Sequence, residues 1–188
     1  MYEFPILETE RLQLRPIGQE DLEFVFRHFG DPAICRYLMD APPVQTKEEA
    51  QGIIDAFAAG GPRPQCRWIL VQRSDGTPIG TCGYHHWVKA YNRAELGYDL
   101  TESAWGKGLM REALVTMIEF GFGSMGLNRI EALVHPDNTA SLGILRRLHF
   151  EKEGVLRDLF YLDGVYYDHE LLSLLERDWR AGEPGEGE

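Results

Sequence analysis

Long apolar runs are missing from this chain, and so is any surplus of positive charge. No stretch approaches the roughly 20 apolar residues that span a bilayer. The start, MYEFPILETERL, has neither the basic opening nor the apolar middle of a signal peptide, so a cytoplasmic protein is expected. Cysteine is scarce: Cys35, Cys66 and Cys82 are odd in number and contain no C-x-x-C pair, which argues against a disulfide framework or a zinc site. Nineteen Lys and Arg face 30 Asp and Glu, for a formal charge of −11. That balance disfavours nucleic acid and anionic membrane as partners and suits a cationic one.

What is present is ordinary globular composition, 44% hydrophobic and 26% charged over 188 residues. This fits one domain burying on the order of 70% of its unfolded surface.

Periodicity then orders the elements. ERLQLRPI alternates like a strand with Leu12 and Leu14 inside. Leu22, Val25, Phe26 and Phe29 repeat at helical spacing until Gly30-Asp31-Pro32 stops them. Thr46 and Glu49 form a capping box before the stripe Ala50, Ile53, Ile54, Phe57. RWILVQRSDGTPIGTCGYHHWV reads as two strands joined at Ser74-Asp75-Gly76-Thr77, with Asp-Gly supplying positive backbone angles. RAELGYDL is a strand, followed from Gly108 by a helix whose face carries Met110, Ala113, Leu114, Met117, Ile118 and Gly121. NRIEALVHP returns parallel to RAELGYDL through that helix. TASLGILRRLHF is a helix on Leu142, Leu145 and Leu148. LRDLFYL and VYYDHELLSLL flank Asp163-Gly164 as a hairpin. The end, RAGEPGEGE, reads as an acidic flexible tail over 180–188.

Two glycine clusters bracket one helix. GFGSMG, residues 121–126, matches the dinucleotide fingerprint G-x-G-x-x-G literally, which raises a dinucleotide oxidoreductase as a reading. It sits, however, at the helix C-terminus, where carbonyls and the negative dipole end repel phosphate. Glycine there is a stop signal, with Gly126-Leu127 fitting a left-handed cap. WGKGLM, residues 105–110, follows a strand and opens the helix. Gly106 and Gly108 let N–H groups converge at its positive end, with Lys107 and Arg111 at the rim. A plain tight turn explains WGKGLM as well as a phosphate site does.

Taken in order, ETERLQLRP, ELGYDL, WGKGLMREAL and HPDNTASLGILRRLHFEKEG resemble the GNAT superfamily of acetyl-CoA-dependent N-acetyltransferases. The branch they resemble is the RimJ/RimL-like group of ribosomal-protein N-terminal acetyltransferases, over an N-acetyltransferase domain at residues 7–179. The resemblance implies an α/β (α+β) GNAT fold: a mixed, mostly antiparallel sheet splayed between two parallel central strands, with helices on both faces. It implies acetyl-CoA as cosubstrate and no metal. Backbone groups around Asp99, Leu100 and Thr101 would pair with the pantetheine arm, and N–H groups from Gly106, Lys107, Gly108, Leu109 and Met110 would hold the pyrophosphate beside Arg111. Asn138 would approach the cofactor, and Ser141 would assist the leaving thiolate. The wider family's loop reads Q/R-x-x-G-x-G/A, and Ser103 stands in its first position here. Many members carry a tyrosine acid where this chain has Leu145. Arg146 and Arg147 suit an adenosine phosphate or a solvated helix face.

Acetyl transfer requires a neutral amine. An α-amine of pKa about 7.8 is roughly 14% neutral at pH 7, a penalty of about 1 kcal/mol, against about 4.6 kcal/mol for a lysine amine. Weak base catalysis therefore suffices at an N-terminus. Glu95, on the strand leading to the cleft, is the candidate base, directly or through water, with a surface carboxylate as the alternative. A backbone N–H near Leu100 would, by the resemblance, stabilise the oxyanion. Tyr37, Trp87, Tyr161 and Tyr166 border the acceptor cleft in the resembling family, and packing explains each of them too. His85 and His86 alternate to opposite faces of a regular strand, against a shared metal; so do Cys82 and His85, against a thiol nucleophile. The acceptor is a peptide or protein N-terminal amine, or a polyamine, amino acid or aminoglycoside; a noncatalytic acyl-CoA-binding module is the reading from a different class. The apolar hairpin around YLDGVYY allows a monomer or a homodimer.

Overall fold

Side-chain alternation decides which strand residues meet helices, and the helices respond with stripes at matching spacing. The computed structural model describes residues 4–38, 42–57 and 65–182. Its strands are β1 (Leu7–Glu8), β2 (Leu12–Pro16), β3 (Cys66–Gln72), β4 (Pro78–Val88), β5 (Arg93–Leu100), β6 (Arg129–Val134), β7 (Glu151–Leu162) and β8 (Val165–Leu175). Its helices are α1 (Leu22–Phe29), α2 (Pro32–Cys35), α3 (Lys47–Phe57), α4 (Leu109–Gly123), α5 (Thr139–Arg147) and α6 (Glu176–Gly182).

The strands form one sheet in the order β1-β2-β3-β4-β5-β6-β8-β7. Only β5 and β6 run parallel; the other neighbours are antiparallel. Trp68, Cys82, Tyr84, Leu96, Ile130 and Leu172 face the main core, which the apolar sides of α4 and α5 complete. Ile69, on the opposite side of β3, joins a smaller core with Phe24, Val25, Phe29, Ala50 and Ile54 of α1 and α3. Helices thus cover both faces, as the resemblance implied.

Between β5 and β6 the pairing is brief. Arg93, Ala94 and Glu95 lie opposite Arg129, Ile130 and Glu131, and there the ladder stops although β5 continues to Leu100 and β6 to Val134. The central strands part in the middle of the sheet.

Several local signals take a different form in the structure. Pro32 ends the α1 run but opens α2, where Asp31 accepts from the Ala33 N–H at 2.8 Å. The Glu49 N–H donates to Thr46 Oγ1 at 3.2 Å, while the Glu49 carboxylate reaches one residue further back, to the Gln45 N–H. In the β3–β4 turn only Gly76 has a positive φ, and Asp75 instead accepts from the Thr77 N–H. Asp163 and Gly164 are both positive, at 50° and 84°, as a two-residue turn between twisted strands requires. Arg180–Gly182 complete α6 rather than beginning a flexible tail, and 183–188 lie outside the described residues.

Candidate active site

The parted strands leave backbone groups exposed to the gap, and the β4–β5 register shows which. The Thr101 N–H donates to the Ile79 carbonyl at 2.7 Å, and Leu100, Asp99 and Tyr98 lie opposite Gly80, Thr81 and Cys82. Odd-numbered residues of β5 therefore turn their N–H and C=O toward β4, and Leu96, Tyr98 and Leu100 turn theirs toward β6. A Cβ on Gly80 would run into the Asp99 carbonyl oxygen, which confirms that parity. Of the three residues expected at the gap, Asp99 and Thr101 are thus committed to β4, and Tyr98 faces it instead. The Leu100 carbonyl accepts from Trp105 Nε1 at 2.7 Å, leaving its N–H for the gap.

Asp99 has a structural task. Its buried carboxylate accepts from His28 Nε2 (2.6 Å), the Thr81 N–H (2.9 Å) and Thr81 Oγ1 (2.6 Å), with Arg67 Nη1 at 3.6 Å. Burial alone would raise its pKa; His28, Arg67 and Thr81 outweigh that and hold it below the ordinary aspartate value. This cluster ties α1 to the strands that line the gap.

His85 joins the same cluster. Burial, with Arg67 adding to it, pushes its pKa down to about 3. Arginine can only donate, so His85 Nε2 accepts from Arg67 Nη2 at 3.1 Å and the imidazole is neutral. Cys82 lies in the main core, its thiol pKa raised by burial, so a thiol nucleophile is excluded.

The strand is not regular beyond His85. A bulge between His85 and Val88 gives His86 a φ of 46°, and His86 Nδ1 meets Glu95 Oε2 at 3.0 Å. Both histidines therefore neighbour Glu95, since His85 is its cross-strand partner. No group of metal-ligating side chains occurs among the described residues.

At the mouth of the gap, Gly106 and Gly108 hold φ of 72° and 73° in an exposed loop, where glycine avoids the cost of a left-handed side chain. Helix α4 opens at Gly108 without a side-chain cap, and its first ladder bond is Glu112 N–H to Gly108 C=O. The N–H groups of Leu109, Met110 and Arg111 thus lack acceptors within the helix and point at the loop, with Lys107 and Arg111 exposed beside them. This is a fitting cradle for a pyrophosphate.

One residue has the wrong sign for that task, and the chain neutralises it. The Glu112 carboxylate in the first turn accepts from the Thr9 hydroxyl, the Arg11 N–H (2.8 Å) and Arg11 Nε (2.6 Å). Burial would raise its pKa, but these partners bring it below the usual glutamate value. Arg11 Nη1 also grips the Lys107 carbonyl at 2.9 Å, so ETERL clamps the glycine loop.

Across the gap, Asn138 Oδ1 caps α5 by accepting from the Ser141 N–H at 3.1 Å. Ser141 Oγ lies 2.7 Å from Tyr98 Oη, a contact that bridges β5 and α5. Leu145 is fully buried in the main core, and Arg146 and Arg147 are exposed on the last turn.

The four candidate acceptor aromatics separate. Tyr37 packs on His135 with ring centroids 5.3 Å apart, and His135 is 6.0 Å from Tyr167 and 5.7 Å from His169. This wall continues β6 on the face shared by Glu95 and Glu131; His135, Tyr167 and His169 were missed in the sequence. Trp87 instead packs in the main core beneath Lys89. Tyr161 and Tyr166 pair with each other at the β7–β8 tip, 62% and 61% exposed.

Residues 11–151 match the family model described as the acetyltransferase (GNAT) domain. An uncharacterized N-acetyltransferase, p20, of Bacillus licheniformis is 38% identical over 176 residues, 92% of this chain and 97% of that protein. The [ribosomal protein uS5]-alanine N-acetyltransferase of Escherichia coli is 37% identical over 105 residues, 55% of this chain and 54% of its own. The fold also matches the spermidine N-acetyltransferase of Vibrio cholerae, solved with CoA and spermine: TM-score 0.81 at 19% identity, covering 90% of this chain and 98% of that one. No helix among the described residues is long and apolar enough to cross a membrane. A parted parallel pair with an uncapped helix at its mouth, and a family match over most of the chain, lead to one conclusion: this protein belongs to the GNAT family and is an acetyl-CoA-dependent N-acetyltransferase.

Proposed function

We propose that the acceptor is the α-amine at the N-terminus of a peptide or protein. The observation that carries this reading is the pairing of the carboxylates that β5 and β6 present beside the gap. Asp99 is held by His28 and Arg67, Glu131 by Arg93 and Arg129, each at 2.7 Å, and Glu95 by His86. A polyamine carries several charges and needs carboxylates free to receive them. An α-amine is partly neutral at pH 7 and asks only for a place to leave one proton. The aromatic wall of Tyr37, His135 and Tyr167 suits the first side chain of a peptide.

In this reading the N–H groups from Gly106 to Met110 hold the pyrophosphate, and those of Tyr98 and Leu100 line the path of the pantetheine arm. Acetyl-CoA, when bound, supplies an acyl group activated as a thioester. Leu100 N–H is the candidate donor to the carbonyl oxygen as charge develops on it. Glu95, hydrogen-bonded to His86, takes the surplus amine proton directly or through one water.

A panel of short N-terminal peptides, polyamines and aminoglycosides, followed by CoA release, tests the proposal. It predicts kcat/KM for at least one peptide at least about tenfold above any polyamine. Turnover confined to polyamines or aminoglycosides would overturn it, and CoA binding without turnover on any amine would favour a noncatalytic module.

A further inference from the structure

By the resemblance Ser141 assists the leaving sulfur, but an isolated serine hydroxyl has no fixed direction in which to point its proton. Tyr98 supplies one. It stands on the segment of β5 that has left β6, its ring packs against the main core, and its hydroxyl meets Ser141 Oγ at 2.7 Å across the floor of the gap. No other hydrogen bond involves either hydroxyl among the described residues. Burial raises the Tyr98 pKa, with the Ser141 contact pulling the other way, so the phenol stays protonated throughout the working range. Phenol is also a better donor than an aliphatic alcohol, because it is the stronger acid.

We infer that Tyr98 is a positioning residue for the acetyl transfer: it donates to Ser141 Oγ and thereby frees the serine proton to hydrogen-bond the departing sulfur. The inference rests on the reading of Ser141 as a neighbour of that sulfur. The amine lone pair forms the new C–N bond, the C–S bond breaks, and the electron pair goes to sulfur. Ser141 stabilises that charge by donating, without giving up its proton; the surplus amine proton departs through Glu95, and the thiolate is protonated in solvent. The device takes the place of the tyrosine acid of other members, whose position here is the buried Leu145.

The test reads bound CoA, with no acceptor present, so its outcome is independent of which amine the enzyme uses. The thiolate's ultraviolet absorbance is followed against pH for CoA bound to the wild type, Tyr98→Phe, Ser141→Ala and the double variant. A donor directed at sulfur should lower the thiol pKa of bound CoA below that of free CoA, and either substitution should raise it by about one unit. The double variant should match the singles, because the two hydroxyls act as one chain. Turnover by Tyr98→Phe should fall about tenfold in kcat with KM for acetyl-CoA unchanged. An unaltered thiol pKa in Tyr98→Phe overturns the inference: if Ser141→Ala still raises it, the reading of Ser141 survives alone, and if neither does, both fall. Should Tyr98→Phe fail to fold, a fluorotyrosine at position 98, a stronger phenol donor of nearly the same shape, should lower the thiol pKa of bound CoA, and an unaltered value there overturns the inference.

Discussion

Helix α4 begins and ends in glycine, and its two ends do opposite things. At the start, Gly106 and Gly108 take positive φ so that N–H groups converge on open space; nothing stands within 4 Å of a Cβ built on Gly106. At the finish, Gly121 lies against Tyr84, whose hydroxyl donates to the Met117 carbonyl at 2.7 Å, and a Cβ there would strike that hydroxyl. Gly126, at φ 65°, then turns the chain so that Leu127 is buried and its N–H reaches the Gly121 carbonyl at 3.0 Å. One glycine cluster opens an uncapped helix end and the other makes a packed corner. The literal fingerprint belongs to the corner, so dipole direction distinguishes the clusters where the motif does not.

Substitutions can break that contrast. The largest effect is expected from Gly121→Ala, which overpacks the core and displaces Tyr84: a loss of about 3 kcal/mol in denaturant unfolding. Its CoA affinity, measured while folded, should stay near the wild-type value. Gly108→Ala should lose about 1–2 kcal/mol of stability, from the left-handed backbone, and in addition weaken CoA binding about tenfold or more by shifting the loop N–H groups. Gly123→Ala has open space around its Cβ and no positive φ, so it should gain about 0.5 kcal/mol by reducing the freedom of the unfolded chain. A Gly123→Ala variant that lost CoA affinity would erase the distinction between the two ends.

Much of this contrast was legible before any coordinates, because helix polarity follows from chain order. The glycine loop, the parallel return of β6 and the Asp163-Gly164 turn were all local signals or consequences of connection rules. The site's details were less legible because they depend on register. Asp99 and Thr101 looked like gap residues, but one step of alternation hands the gap to Tyr98 and Leu100. Arg11 reaches Glu112 and Lys107, and Tyr98 reaches Ser141, across sequence separations that no motif spans. ETERL was visible as a motif, while its purpose became visible only with its partner on α4. A bulge interrupts strand alternation and brings His86 to Glu95, and Trp87, an aromatic beside a cleft strand, belongs to the core.

On this reading the amino end of α4, not its carboxyl end, holds the diphosphate of CoA. Calorimetric titration of CoA into Gly108→Ala and Gly123→Ala, beside the wild type, tests it most directly. The dissociation constant should rise about tenfold or more in Gly108→Ala and stay unchanged in Gly123→Ala. Wild-type affinity in Gly108→Ala together with lost affinity in Gly123→Ala would contradict it.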